Sequence, residues 1–381
     1  MNILMVCMED PWDILGGRGV AVREMSQALA KQGHEVTVAC SGEKGGKIKG
    51  VRKVVSDKLI CWKPRNANVS SLLAMDVQMF RSIAKLLATG ERWDVVHVHD
   101  WDAVQTGRCI RDALEIPMVG SLHLSMTYLN RDGQATITDD LLYCMQQEAH
   151  LVADSDALIV SSAAYADLVR RHFMVERKVD VVPNGIDTKW WKANGTPRAE
   201  NLALFVGRIA EMKGVREILE AVEAGTDYMV WLVGEVNANT EEEKESWPLT
   251  RKIRALEAEG KLSWMGFKDH KELRKLYSMA TVGLMPSVHE PFGIAALEHM
   301  AMGVPLISSE RGGLREIVVD KQGAEYALII EPDPQQIRAA LEMCKDEGVR
   351  KSLSAAGVKR AREFSWPAAA EKLVEIYRRV A

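Results

Sequence analysis

The sequence has no run of about 18 apolar residues, so no membrane-spanning helix is expected. It has no C-x-x-C pair. Its six cysteines, Cys7, Cys40, Cys61, Cys109, Cys144 and Cys344, are scattered, most of them inside apolar runs. They read as small core hydrophobes, and a secreted disulfide scaffold is excluded. There is no block of lysine and arginine, and the formal charge is 49 − 53 = −4. A protein that lives on nucleic acid usually carries a basic face, so that class is weakened while a local basic cleft stays open. Residues 1–7 are apolar but lack a basic n-region and a small-residue cleavage site, and Glu9, Asp10 and Pro11 follow soon after. Together with the cysteine usage this makes a cytoplasmic, reducing location the expectation. Short repeats and low-complexity tracts are also missing.

What is present is a globular composition, 47% hydrophobic and 27% charged over 381 residues. A single core rarely grows past roughly 250–300 residues, so two domains are expected. Short β-rich runs at residues 2–8, 35–40, 94–99, 117–123, 157–162 and 179–182 alternate with helical segments, among them 20–32 and 139–154. Gly33 ends the first of these helices. The rhythm restarts with strands at 202–206, 228–234, 261–264, 282–285, 304–308 and 327–330, and helices at 215–223, 241–258, 271–279 and 292–302. Alternating strands and helices mean βαβ units and parallel sheets. Turn residues cluster at 184–201, the best boundary between two doubly wound α/β domains. Ser365-Trp366-Pro367 then signals the start of a last amphipathic helix, with Ser365 as its N-cap.

Five groups of residues could carry chemistry. Gly16-Gly17-Arg18-Gly19 lies between the first strand and the first helix, where glycine lets the backbone approach a ligand and a helix N-terminus attracts an anion. It is neither G-x-G-x-x-G nor a P-loop, and a plain strand–helix turn fits it as well. Asp13 just before it is a turn residue or a ligand contact. Glu290-Pro291-Phe292-Gly293, followed by Ile294 and by Glu298 two turns along, precedes and opens a helix. Free first-turn N–H groups hold phosphate oxygens, and carboxylates accept from vicinal hydroxyls. That combination suits a nucleotide sugar. Gly207-Arg208 and Lys213-Gly214 place two cations on a strand-to-helix loop, which suits a diphosphate or an ordinary solvated loop. His97, His99, Asp100, Trp101, Asp102 and His123 stand at the carboxyl ends of two strands, where open α/β sheets gather ligands. Structural histidines explain them better than a metal site does. Gly312-Gly313 with Glu316 reads as a glycine turn.

Taken together with Pro183-Asn184-Gly185-Ile186-Asp187, these groups resemble the retaining GT-B glycosyltransferases that include glycogen synthase, sucrose synthase and many bacterial sugar transferases, the glycosyltransferase family 4 type. The resemblance covers nearly the whole chain. It implies two Rossmann-like domains facing across a cleft: an acceptor-side domain at 1–184, a donor domain at 185–364, and a last helix at 365–381 crossing back. By resemblance, Arg208 and Lys213 bind the donor diphosphate, Glu298 accepts the ribose hydroxyls, and Glu290 contacts the donor sugar. The backbone of Phe292, Gly293 and Ile294 faces sugar and phosphate, Gly16 and Gly17 close over the phosphates, and His123 sits near the transferred sugar. Asp100 and Trp101 are acceptor-side candidates. Glycogen and starch synthases usually carry a lysine before the Gly-rich turn, whereas Ile14 and Leu15 precede Gly16 here, and Gly16-Gly17-Arg18-Gly19 is closer to the general family. The implied reaction moves a hexosyl group, with retention, from a UDP- or ADP-glucose type of donor to a sugar or other hydroxyl acceptor. No cofactor or metal is required. The alternatives are a phosphorylase or epimerase on the same plan, a transferase acting on nucleic-acid bases, and a non-catalytic nucleotide-sugar-binding module. For the nucleic-acid case, Lys44, Lys47, Lys49, Arg52 and Lys53 are the candidate basic cluster, a solvated loop being the simpler reading.

Overall fold

A computed structural model describes residues 1–12, 16–42, 49–56, 69–129, 138–236 and 241–381. Asp13, Ile14, Leu15, Lys44, Lys47 and Cys61 lie outside the described residues. The chain divides into two units, residues 1–185 with 366–381, and residues 186–365.

The first unit is built on a seven-stranded parallel sheet. Its strands are β1 (Asn2–Cys7), β2 (Glu35–Cys40), β3 (Val51–Val55), β4 (Val95–His99), β5 (Met118–Ser121), β6 (Ala157–Val160) and β7 (Val179–Val181). Their order is β3-β2-β1-β4-β5-β6-β7. In β1, Ile3, Met5 and Cys7 face one apolar layer while Leu4 and Val6, with Met8 just past the strand, join the other. A strand covered on both faces reads as an unbroken apolar run, which is why β1 is conspicuous in the sequence. The first layer is formed by helices Gly17–Lys31 and Trp366–Val380. Trp366, Ala369, Ala370, Leu373, Val374 and Tyr377 of the last helix repeat at helical spacing and are all buried there. Each large side chain so buried contributes about 1.5–3 kcal/mol. The Tyr377 hydroxyl also reaches His97 Nδ1 at 2.6 Å, and Arg379 forks onto Asp180.

Residues 51–55 form a strand that the sequence reading does not contain. Arg52 and Lys53 belong to it, not to a solvated basic loop. Lys53 is largely buried, 2.8 Å from Asp10 and 4.5 Å above the Trp12 ring, and Arg52 pairs with Glu91 at 2.5 Å. Two of the five cations proposed for nucleic acid are thus paired with carboxylates. Among the described cysteines, Cys109 is exposed and the other four are buried.

The second unit carries β8 (Leu202–Val206), β9 (Met229–Val233), β10 (Leu262–Trp264), β11 (Val282–Met285), β12 (Leu306–Ser308) and β13 (Leu328–Ile329). They form a parallel sheet in the order β10-β9-β8-β11-β12-β13, with apolar layers on both faces. The expected helix at 241–258 is two helices, Glu241–Ser246 and Pro248–Ala258. Pro248 has no N–H to continue the first helix but fits the first position of the second. The helix expected at 292–302 is Ile294–Ala301, and the first helix of the chain begins at Gly17, three residues before its expected start.

Candidate functional site

In both sheets the strand order reverses beside the first strand of the unit, between β1 and β4 and between β8 and β11. A doubly wound sheet opens a crevice outside the carboxyl ends of such a pair. The singled-out residues lie on the loops that follow these strands.

In the second unit, the turn Glu211–Lys213 follows β8 and is pressed onto the loop after β11. Gly214 makes this possible: it has φ 71°, and a Cβ there would collide with the Pro286 carbonyl. The Val288 and His289 N–H groups donate to Met212 O at 2.9 and 3.0 Å and stitch the two loops together. Lys213 Nζ consequently reaches Glu290 Oε2 at 2.6 Å, with both side chains largely buried. The loop after β12 clamps Glu290 from the other side. Gly313 N–H donates to Glu290 O at 2.8 Å, and Gly312, with φ 60°, leaves no room for a Cβ beside that carbonyl. The Gly312-Gly313 turn therefore holds the Glu290 backbone. Gly293 then starts the helix Ile294–Ala301, which has no side-chain N-cap; the Ala296 N–H donates to Gly293 O at 3.0 Å, and the Ile294 and Ala295 N–H groups of the first turn are the ones an anion would meet. Phe292 packs its ring against Phe364 at 6.1 Å, and Gly313 lies close against its backbone. Glu298 is buried two turns along and accepts a hydrogen bond from Tyr277 Oη at 2.7 Å. Arg208 is exposed on the loop after β8.

In the first unit, Gly16 precedes the helix Gly17–Lys31, which also lacks a side-chain N-cap. The Gly16 N–H donates to Glu9 Oε1 at 3.1 Å. Gly16 is extended, and nothing lies within 4 Å of a Cβ built on it. Arg18 of the same turn is drawn inward. Its guanidinium meets Glu9 at 3.2 Å, Asp100 at 3.2 Å and Asp102 at 2.8 Å. Burial pushes the Asp102 carboxyl up to about 6 against the pull of Arg18, and pushes Asp100 up as well. Asp100 has φ 64°, an uncommon conformation for a residue with a side chain. It accepts the His123 N–H on Oδ1 at 2.6 Å. Trp101 opens the short turn Trp101–Ala103 and is half-buried. His97, His99 and His123 form a packed row, with centroids 4.1 and 5.4 Å apart. Burial pushes His97 and His123 down to about 3 and His99 far below its ordinary value, so all three are neutral near pH 7. No group of three or more metal-ligating side chains exists among the described residues.

The structure thus joins Lys213 to Glu290 and His123 to Asp100. It adds Glu9, Arg18 and Tyr277, which the sequence reading did not assign. A cation inside a glycine turn, with acids at the ends of neighbouring strands, was the available signal for Arg18. Tyr277 carried none, since an aromatic residue on an amphipathic helix is usually core.

Comparison with known proteins identifies the family and the fold. The sequence model of "Glycosyl transferases group 1" matches residues 187–360, and that of "Glycosyltransferase Family 4" matches residues 15–190. The glycogen synthase of Mycobacterium tuberculosis is 30% identical, over 99% of this chain and 94% of that protein. Among solved structures, sucrose-phosphate synthase from Thermosynechococcus elongatus superposes with a TM-score of 0.82 at 22% identity, covering 99% and 98% of the two chains. The catalytic domain of starch synthase IV from Arabidopsis thaliana, solved with ADP and acarbose, gives a TM-score of 0.76 at 17% identity, covering 100% and 99%. With both family models accounting for most of its length and a glycogen synthase matching it end to end, the chain belongs to the family 4 glycosyltransferases and has the GT-B fold.

Proposed function

We propose that this glycosyltransferase moves a glucosyl-type hexose from a UDP- or ADP-sugar, with retention at the anomeric carbon, to a carbohydrate hydroxyl, in the manner of a glycogen synthase. The observation that carries the reading is the Lys213–Glu290 pair, held by three loops at the carboxyl ends of β8, β11 and β12. When a diphosphate enters, Lys213 can exchange the carboxylate for phosphate oxygens. Glu290 Oε2 is then released to accept from sugar hydroxyls. Arg208 and the open N-terminus of helix Ile294–Ala301 add positive potential where charge develops on the leaving phosphate. Glu298 takes the ribose hydroxyls, and His123 contacts the transferred sugar. These groups supply the neutralising charge without a metal, and no glycosidase-like pair of acids is required.

The test incubates the protein with UDP-glucose or ADP-glucose, with and without a maltooligosaccharide, in buffer containing EDTA. Release of nucleoside diphosphate that depends on the oligosaccharide, with an α-linked product by NMR, is the expected result. Ligand-induced stabilisation with no release under any of these conditions would favour a binding module instead.

A further inference from the structure

Among the described residues, the His123 backbone N–H donates to Asp100 Oδ1 and its ring Nε2 lies 3.1 Å from His99 Nδ1. Both rings are uncharged, so one hydrogen stands between these two nitrogens and one nitrogen donates it. If His123 donated, His99 would carry its own hydrogen on Nε2. That atom is buried and has no hydrogen-bond partner among the described residues. A buried N–H left without a partner is rare, so the hydrogen is assigned to His99 Nδ1, which has one. The His99 ring is not free to escape the choice. It stacks on His97 at 4.1 Å, and His97 is itself fastened by the Tyr377 hydroxyl at 2.6 Å and the Ser121 hydroxyl at 2.7 Å.

We infer that His99 is a positioning residue that donates from Nδ1 to His123 Nε2 and so fixes His123 as the tautomer protonated on Nδ1. His123 then offers a ligand one ring N–H, at Nδ1, and no ring acceptor. It is suited to an oxygen lone pair, as on a hydroxyl or a phosphate. The kinetic part of this inference rests on the reading of His123 as a contact of the transferred sugar; the tautomer itself does not.

The experiment records long-range proton–nitrogen histidine spectra of the full, nitrogen-15-labelled chain at pH 7, assigned with His123→Asn and His99→Asn. The expected pattern for His123 is a protonated Nδ1 and a bare Nε2, with both tautomers populated in His99→Phe. A His123 protonated on Nε2 in the unmodified protein overturns the inference, and no variant is needed to see it. In turnover of UDP-glucose or ADP-glucose with a maltooligosaccharide, His99→Phe is expected to lose roughly tenfold in kcat. His99→Asn, which keeps an N–H near the Nδ1 position, should recover most of it. Equal losses in two folded variants would leave His99 a mere packing residue and overturn the positioning role. The expected tautomer in a protein that transfers no sugar would defeat the sugar-transfer reading while supporting the inference.

Discussion

Replacing Lys213 by methionine removes an ammonium that lies 2.6 Å from Glu290 Oε2 and keeps most of the aliphatic stem. At an effective dielectric of about 20 the Coulomb attraction at that distance is about 6 kcal/mol. Desolvation offsets much of it, and breaking a well-buried pair from one side usually costs 3–5 kcal/mol. The two side chains are 15% and 9% exposed, so a loss of about 2–4 kcal/mol is the appropriate range here. For a unit of this size that is a fall of roughly 4–15 °C in Tm. Glu290→Gln removes the other charge, and the double variant K213M/E290Q leaves neither charge buried. The double variant should therefore be more stable than the sum of the single losses allows, by about 1–3 kcal/mol. Turnover behaves differently. If the ammonium neutralises the leaving diphosphate and the carboxylate binds sugar, all three variants lose about 10²–10³-fold in kcat, and the double variant recovers none of it. Thermal melts combined with a nucleoside-diphosphate release assay separate the two effects. Additive stability losses, or single variants with unchanged turnover, would refute the reasoning.

Tyr277→Phe deletes the hydroxyl that donates to Glu298 at 2.7 Å and should raise the KM for the nucleotide sugar several-fold with kcat little changed, as expected when a carboxylate that binds ribose loses its orientation. Gly312→Ala forces a Cβ against the Glu290 carbonyl at φ 60° and should cost about 1–3 kcal/mol in a denaturant titration, with a larger fractional loss of activity than of stability. His97 titrates near 3 in the folded chain and near 6.5 when unfolded, so below pH 6.5 the unfolded state binds more protons and stability falls on acidification, by up to about 1.4 kcal/mol per pH unit. His97→Asn should flatten the fall in denaturation midpoint between pH 6.5 and 5. Asp102 has the opposite sign: raised to about 6, it gives the folded state the extra proton between about pH 4 and 6, so Asp102→Asn should steepen the same fall.

The strands most legible in the sequence are those buried on both faces. β1, β8 and β11 are short apolar runs bounded by polar or turn residues, and β4 is a valine run that carries His97 and His99. β3 escaped because Val51-Arg52-Lys53-Val54-Val55 is an edge strand, and edges tolerate charge that a central strand does not. The split at Pro248 was visible as a proline in principle, but the helical pattern runs through it and hides the break. For the site, the sequence shows which loops carry chemistry, because parallel topology sends every such loop to the same end of its sheet. It does not show partners. Lys213 and Glu290 are 77 residues apart, and each alone reads as a surface charge.

Charge pairing also decides what each glycine turn can do. Among the described residues, Arg18 pairs with three carboxylates, Glu9, Asp100 and Asp102, so these groups offer an incoming diphosphate more negative than positive charge. The Lys213–Glu290 pair is neutral as a whole, with an uncapped helix and an exposed arginine on the neighbouring loops. A dianionic ligand is therefore better served by the second unit. For Gly16 to give its N–H to a phosphate oxygen, Glu9 Oε1 must first release it. Arg18 holds the other Glu9 oxygen at 3.2 Å. On this reading a glycine turn, even one opening a helix, is an anion seat only when the residues at the end of the preceding strand leave its N–H groups unoccupied.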